Sequence, residues 1–73
     1  MDPSATLAVL RDESADLAER IDAGRILQGW LRNGGYVPAG LFTCGETYGG
    51  HQAANAAAVR LISAETITLE QTS

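Results

Sequence analysis

The sequence predicts a mainly α fold, a small helical domain with a Gly/aromatic turn region and scope for a minor β element. Three observations predict it. Apolar residues recur at helical spacing over 4–32. An alanine-rich run over 53–58 carries high helix propensity. Between them, positions 33–50 hold six of the eight glycines and three of the four aromatic residues. At 73 residues, the whole chain 1–73 reads as one small domain.

In the first element, Leu7, Leu10, Leu17, Ile21, Gly24, Leu27 and Leu31 fall on one broad face at about 100° per residue. Arg11, Asp12, Glu19, Asp22 and Arg25 take the opposite side, as an amphipathic helix requires. Asp2 or Ser4 can cap the start, with Pro3 tolerated in the first turn. Arg11-Asp12-Glu13-Ser14 is polar, and Ser14 is a good cap, so the segment reads either as one helix or as two, roughly 4–11 and 15–32. Asn33-Gly34-Gly35 is a strong stop, and Arg32 suits the negative end of the helix dipole. Ile26 and Trp30 lie off the leucine stripe, either packed on the C-terminal part or exposed as a contact patch.

The middle region contains Tyr36, Phe42 and Tyr48, and Pro38 blocks helix continuation. Aromatic anchors mark an ordered turn region rather than a linker. A second helix is expected from about Gly49 to Ala64, with Ala54, Ala58, Leu61 and Ile62 as a narrow apolar face packing antiparallel on the first. Thr66-Ile67-Thr68-Leu69 alternates polar and apolar residues, the pattern of a short strand that would pair near 36–43, or else of a helical tail.

Composition narrows the function. Net charge is −4 and evenly spread, and there are five arginines and no lysine. Without a basic face, binding driven by nucleic-acid phosphates is not expected. The longest uncharged runs, Asn33–Gly45 and Thr47–Val59, are too short and polar to span a bilayer. Cys44 is the single cysteine, so no internal disulfide helps, and a reducing, cytoplasmic setting is expected. Met1-Asp2-Pro3 lacks the cationic start of a signal peptide. A core this small is commonly completed by oligomerisation. A homodimer or a constitutive protein partner is therefore expected, with neither nucleic acid nor membrane.

Met1-Asp2-Pro3, the leucine-bearing helix, Gly29-Trp30-Leu31 and Gly34-Gly35-Tyr36-Val37-Pro38 together resemble a class of short hypothetical proteins of actinobacteria and their phages. The resemblance covers about residues 1–40. The class has no assigned activity, so it carries over no functional residue. It implies a phage or actinobacterial accessory protein, working in the host cytoplasm if phage-encoded.

The residues that could support chemistry are few. Cys44 and His51, seven positions apart across a Gly-rich turn, could form a thiolate–imidazole pair with Glu46 orienting the ring. They match no local catalytic signature, and a buried thiol beside a helix-start histidine is the preferred account. Zinc would need about four such ligands. Gly49-Gly50 lacks the lysine of a phosphate loop. Asp12/Glu13 and Asp16/Glu19 read as a solvated helix face with surface ion pairs to Arg11 and Arg20. No cofactor is expected, and no enzymatic activity. The aromatics Trp30, Tyr36, Phe42 and Tyr48, with Ile26, are the candidate interaction residues. The expected function is a non-catalytic interaction module that self-associates or binds a host protein. The alternatives are a structural virion or assembly component and a Cys44-dependent enzyme or redox switch.

Overall fold

The computed structural model describes residues 2–38, 40–41 and 50–72. They form three helices, α1 (Pro3–Arg11), α2 (Leu17–Arg32) and α3 (His51–Thr72), and no strand. The mainly α class is as expected.

Local chemistry places each boundary. Asp2 caps α1: its carboxylate accepts from the backbone N–H groups of Ser4 (3.0 Å) and Ala5 (3.4 Å), with Pro3 at the first helical position. The N-terminal segment is two helices, not one. Asp12 turns extended, and its carboxylate accepts from the Ser14 N–H (3.0 Å) and hydroxyl (2.6 Å). Ser14 is thereby committed to Asp12 and does not cap α2, which begins after Asp16. Across the turn, the Arg20 Nε donates to the Leu10 carbonyl (2.9 Å), satisfying an end carbonyl of α1.

α2 ends at the expected stop by a two-bond glycine motif. Gly34 N–H donates to Leu31 O (3.0 Å) and Gly35 N–H to Trp30 O (2.9 Å). Gly34 has φ +87°, a region that a side chain disfavours.

α2 packs against both α1 and α3. It runs antiparallel to α3: the Asn55 amide near the start of α3 donates to the Gly35 carbonyl just past the end of α2 (2.9 Å), while Arg25 early in α2 faces Glu70 late in α3 (3.7 Å). At 22 residues and about 1.5 Å per residue, α3 nearly spans the 35 Å long axis of the molecule.

The core is Leu7 and Leu10 of α1, Ala23, Leu27 and Leu31 of α2, Ala58 and Ile62 of α3, and Leu41 from the turn region. Leu17 and Ile21, expected on the same stripe, are only half-buried because they precede the stretch where all three helices meet. Gly24 and Thr66 are buried in contact: a Cβ on Gly24 would overlap the Thr66 hydroxyl.

Two expectations are corrected. α3 does not stop at Ala64 but continues to Thr72, so 66–69 is helix, not strand. Thr66 and Leu69 continue the inward row of Ala58 and Ile62. The threonines are reconciled with helix by donating to the fourth carbonyl back: Thr66 to Ile62 (2.8 Å), Thr68 to Ala64 (2.9 Å) and Thr72 to Thr68 (3.0 Å). Of the second suggested strand, 36–43, the described residues Tyr36–Pro38, Gly40 and Leu41 are irregular.

Candidate functional site

Of the expected interaction residues that the structure describes, Trp30 meets Tyr36 at the end of α2 and Ile26 lies between α1 and α2. Trp30 is half-buried against the core, and its indole N–H donates to the Tyr36 carbonyl (2.9 Å). The Tyr36 ring meets it edge-on, with centroids 5.4 Å apart at 89°. Gly35 lies so close beneath the indole that a Cβ there would collide with the ring. Trp30 therefore clamps the turn that ends α2, while Tyr36 remains 58% exposed at its edge. Phe42, Tyr48 and Cys44 lie outside the described residues, as does the side chain of His51, whose backbone begins α3. The Cys44–His51 pairing is thus not placed. Among the described residues, no group of three or more His, Cys, Asp or Glu side chains could hold a metal ion.

Ile26 has a different setting. It is 48% exposed and lines an open groove of about 360 Å³ between α1 and α2. Ala5, Thr6 and Val9 of α1 and Glu19, Asp22 and Ala23 of α2 complete the lining. Val9, 38% exposed, answers Ile26 across the groove. Sequence reasoning missed Val9. On a single helix over 4–32 it falls in line with Leu27 on the leucine stripe, and only the break after Arg11 turns it away from the core. Among the described residues, the groove's charged lining is Glu19 and Asp22.

A second groove, about 460 Å³, opens where α1, α2 and α3 converge and is lined by Leu10, Arg11, Glu13, Arg20, Ala64, Glu65, Thr68 and Leu69. The Arg11 guanidinium fills this region with bonds of its own. Its Nε and one Nη donate to the two Glu65 oxygens (3.1 and 3.0 Å), a planar two-point pair. The other Nη donates to Gly40 O (3.2 Å), and Leu41 O is reached at 3.4 Å. Arg11 therefore binds the end of α1, the turn region and α3 together. The expectation that Arg11 and Arg20 serve surface ion pairs within their own helix is corrected. Arg11 ends α1 with no acidic residue three or four positions away and pairs across to α3, while the α1–α2 turn brings the Leu10 carbonyl to Arg20 Nε.

One electrostatic shift accompanies this turn. The hydrogen bonds from the Ser14 hydroxyl and N–H, helped by the Arg20 charge, hold the Asp12 carboxyl below the usual carboxylate value.

The fold and its surfaces define a three-helix domain with an aromatic-clamped turn and an apolar groove between its first two helices. No family model, curated protein or solved structure matches the chain. No helix among the described residues is long and apolar enough to cross a membrane.

Proposed function

We propose that this protein is a non-catalytic protein-interaction module, an accessory protein of an actinobacterium or its phage, working in the cytoplasm through its α1–α2 face. The single observation that carries the docking reading is the placement of Val9 and Ile26. These large apolar side chains are exposed on two different helices yet converge on one groove. Scattered exposed apolar residues need no explanation, but paired ones lining a concavity mark a contact surface. The small core supports the same reading, since a chain of this size gains from a partner that covers further apolar surface.

A photo-crosslinking residue at position 26 of the full chain, tested in pure protein and in an actinobacterial lysate, checks the reading. The expected result is a discrete adduct, with a second copy or with one protein, that disappears when Val9→Asp is added. Absence of an adduct under both conditions, with sedimentation showing a monomer, refutes it.

A further inference from the structure

We infer that the α1–α2 groove takes a cationic amphipathic helix of a partner protein, its apolar residues on Val9, Ala23 and Ile26 and its arginines or lysines facing Glu19 and Asp22. The inference rests on the docking reading above and adds the chemistry of the occupant.

The lining decides the class. The groove lies between two packed helices, and its residues come from successive turns: Ala5, Thr6 and Val9 on one wall, Glu19, Asp22, Ala23 and Ile26 on the other. A third helix laid along such a pair offers anchors at i, i+3, i+4 and i+7 that match this rise. An added strand would need an open sheet edge, and the described residues contain no strand. A proline-rich segment would need aromatic walls, and no aromatic residue among those described lines the groove.

Charge complementarity selects among helices. Every charged residue of the lining, among the described residues, is a carboxylate. The neighbouring arginines are directed elsewhere: Arg11 onto Glu65, Arg20 Nε onto the Leu10 carbonyl, Arg25 toward Glu70. A second copy fits poorly. A symmetric dimer centred here would bring Glu19 and Asp22 of both copies into one interface. The other exposed large apolar residue on a described helix, Ile67 of α3, has Glu70 one turn further along paired with Arg25, so a head-to-tail pairing there would set an ion pair rather than a lone cation against Glu19 and Asp22.

The test uses displayed helical peptides with leucine at i, i+3, i+4 and i+7 and with arginine, glutamine or glutamate randomised at the flanking positions. They are selected against the full chain, against Ile26→Asp, and against the double variant Glu19→Gln/Asp22→Asn. Arginine-flanked peptides are expected to be enriched about tenfold over glutamate-flanked ones, the combined effect of two exposed charge pairs. The double variant should lose most of that preference, and Ile26→Asp should lose binding altogether. The last control separates seating from attraction, because Ile26→Asp adds negative charge while removing the apolar anchor. Equal enrichment of glutamine- and arginine-flanked peptides overturns the cationic occupant and leaves the docking reading standing. Self-association of the free chain that Ile26→Asp abolishes does the same, naming a second copy. Undiminished enrichment on Ile26→Asp overturns the inference as diffuse attraction. No enrichment on any target overturns it too, and the docking reading then stands or falls on the crosslink from position 26.

Discussion

Replacing Gly24 with alanine should destabilise the protein, although the same change at an open helical site would stabilise it. Gly24 is buried in the middle of α2, where glycine costs about 1 kcal/mol relative to alanine. Propensity alone therefore predicts a gain of that size. Packing opposes it. An added Cβ would overlap the Thr66 Oγ1 and lie 3.1 Å from its Cβ and 3.2 Å from its Cγ2. Turning the Thr66 side chain to present its Cβ hydrogen removes the worst overlap, but it breaks the hydroxyl's bond to the Ile62 carbonyl and leaves the Thr66 Cβ at 3.1 Å. The helices must separate, at a point flanked by the fully buried Leu27 and Ile62. Overpacking of this kind costs about 1–3 kcal/mol. Set against the propensity gain, the net effect is a loss of up to about 2 kcal/mol, at roughly 4–8 °C in Tm per kcal/mol for a domain of this size. In a Thr66→Ala background Oγ1 and Cγ2 are gone and only the residue's Cβ, at 3.1 Å, stays close, so Gly24→Ala should stabilise by up to about 1 kcal/mol. A double-mutant cycle by urea denaturation, followed by far-UV circular dichroism, should then give a coupling of about 1–3 kcal/mol. Additivity of the two substitutions, or stabilisation by Gly24→Ala alone, would refute the claim that α2 and α3 touch through this pair.

Arg11→Lys should cost about 1 kcal/mol, because an ammonium cannot make the two-point pair with Glu65, and little further should be lost on adding Glu65→Gln; urea melts of the four-member cycle decide it. Ser14→Ala should raise the Asp12 pKa toward the usual carboxylate value, measured by its side-chain carbonyl shift on pH titration. The Asp12 value is depressed in the folded protein. Its stabilising share is therefore present above the unfolded-state pKa and lost as pH falls through the lowered one, and Ser14→Ala should flatten the acid limb of stability. Gly34→Ala should destabilise by about 1–2 kcal/mol, from forcing a side chain into left-handed backbone, and thermal melts will show it. Gly35→Ala should push the indole of Trp30 outward, giving red-shifted and more readily quenched tryptophan fluorescence; unchanged emission would contradict the clamp.

Much of the helical layout was legible because its signals are local. The Asp2 cap with Pro3, the Asn33-Gly34-Gly35 stop and the leucine stripe each depend on residues a few positions apart, and each appears in the structure. The 66–69 segment stayed open between strand and helical tail because two periods fit it at once. Thr66 and Leu69 are three apart, which satisfies a helix, while alternation over four residues satisfies a strand. The choice fell to helix because α3 had a row from Ala58 through Ile62 to extend and, among the described residues, no strand stood ready to pair. Ile26 was legible as an off-stripe residue, but its role was not, because a groove is made by two helices and Val9 belongs to the other one. Arg11–Glu65 was beyond reach for the same reason: a pair 54 positions apart leaves no local pattern.

The fold also ties the groove to charges that do not line it. α1 is only nine residues long, and much of what fixes its tilt over α2 is polar. The Asp12–Ser14 turn sets the angle of departure, Arg20 holds the last carbonyls of α1, and Arg11 draws its end toward Glu65 and the Gly40–Leu41 backbone. Leu7 and Leu10 anchor the inner face, while Val9 faces the groove on the outer side of the same turn. A change in tilt therefore moves Val9 relative to Ile26 with little loss of core burial. Weakening the Arg11 clamp should loosen the groove before it unfolds the domain, and docking at Val9 and Ile26 should in turn reinforce the clamp, because the two act on one short rigid element.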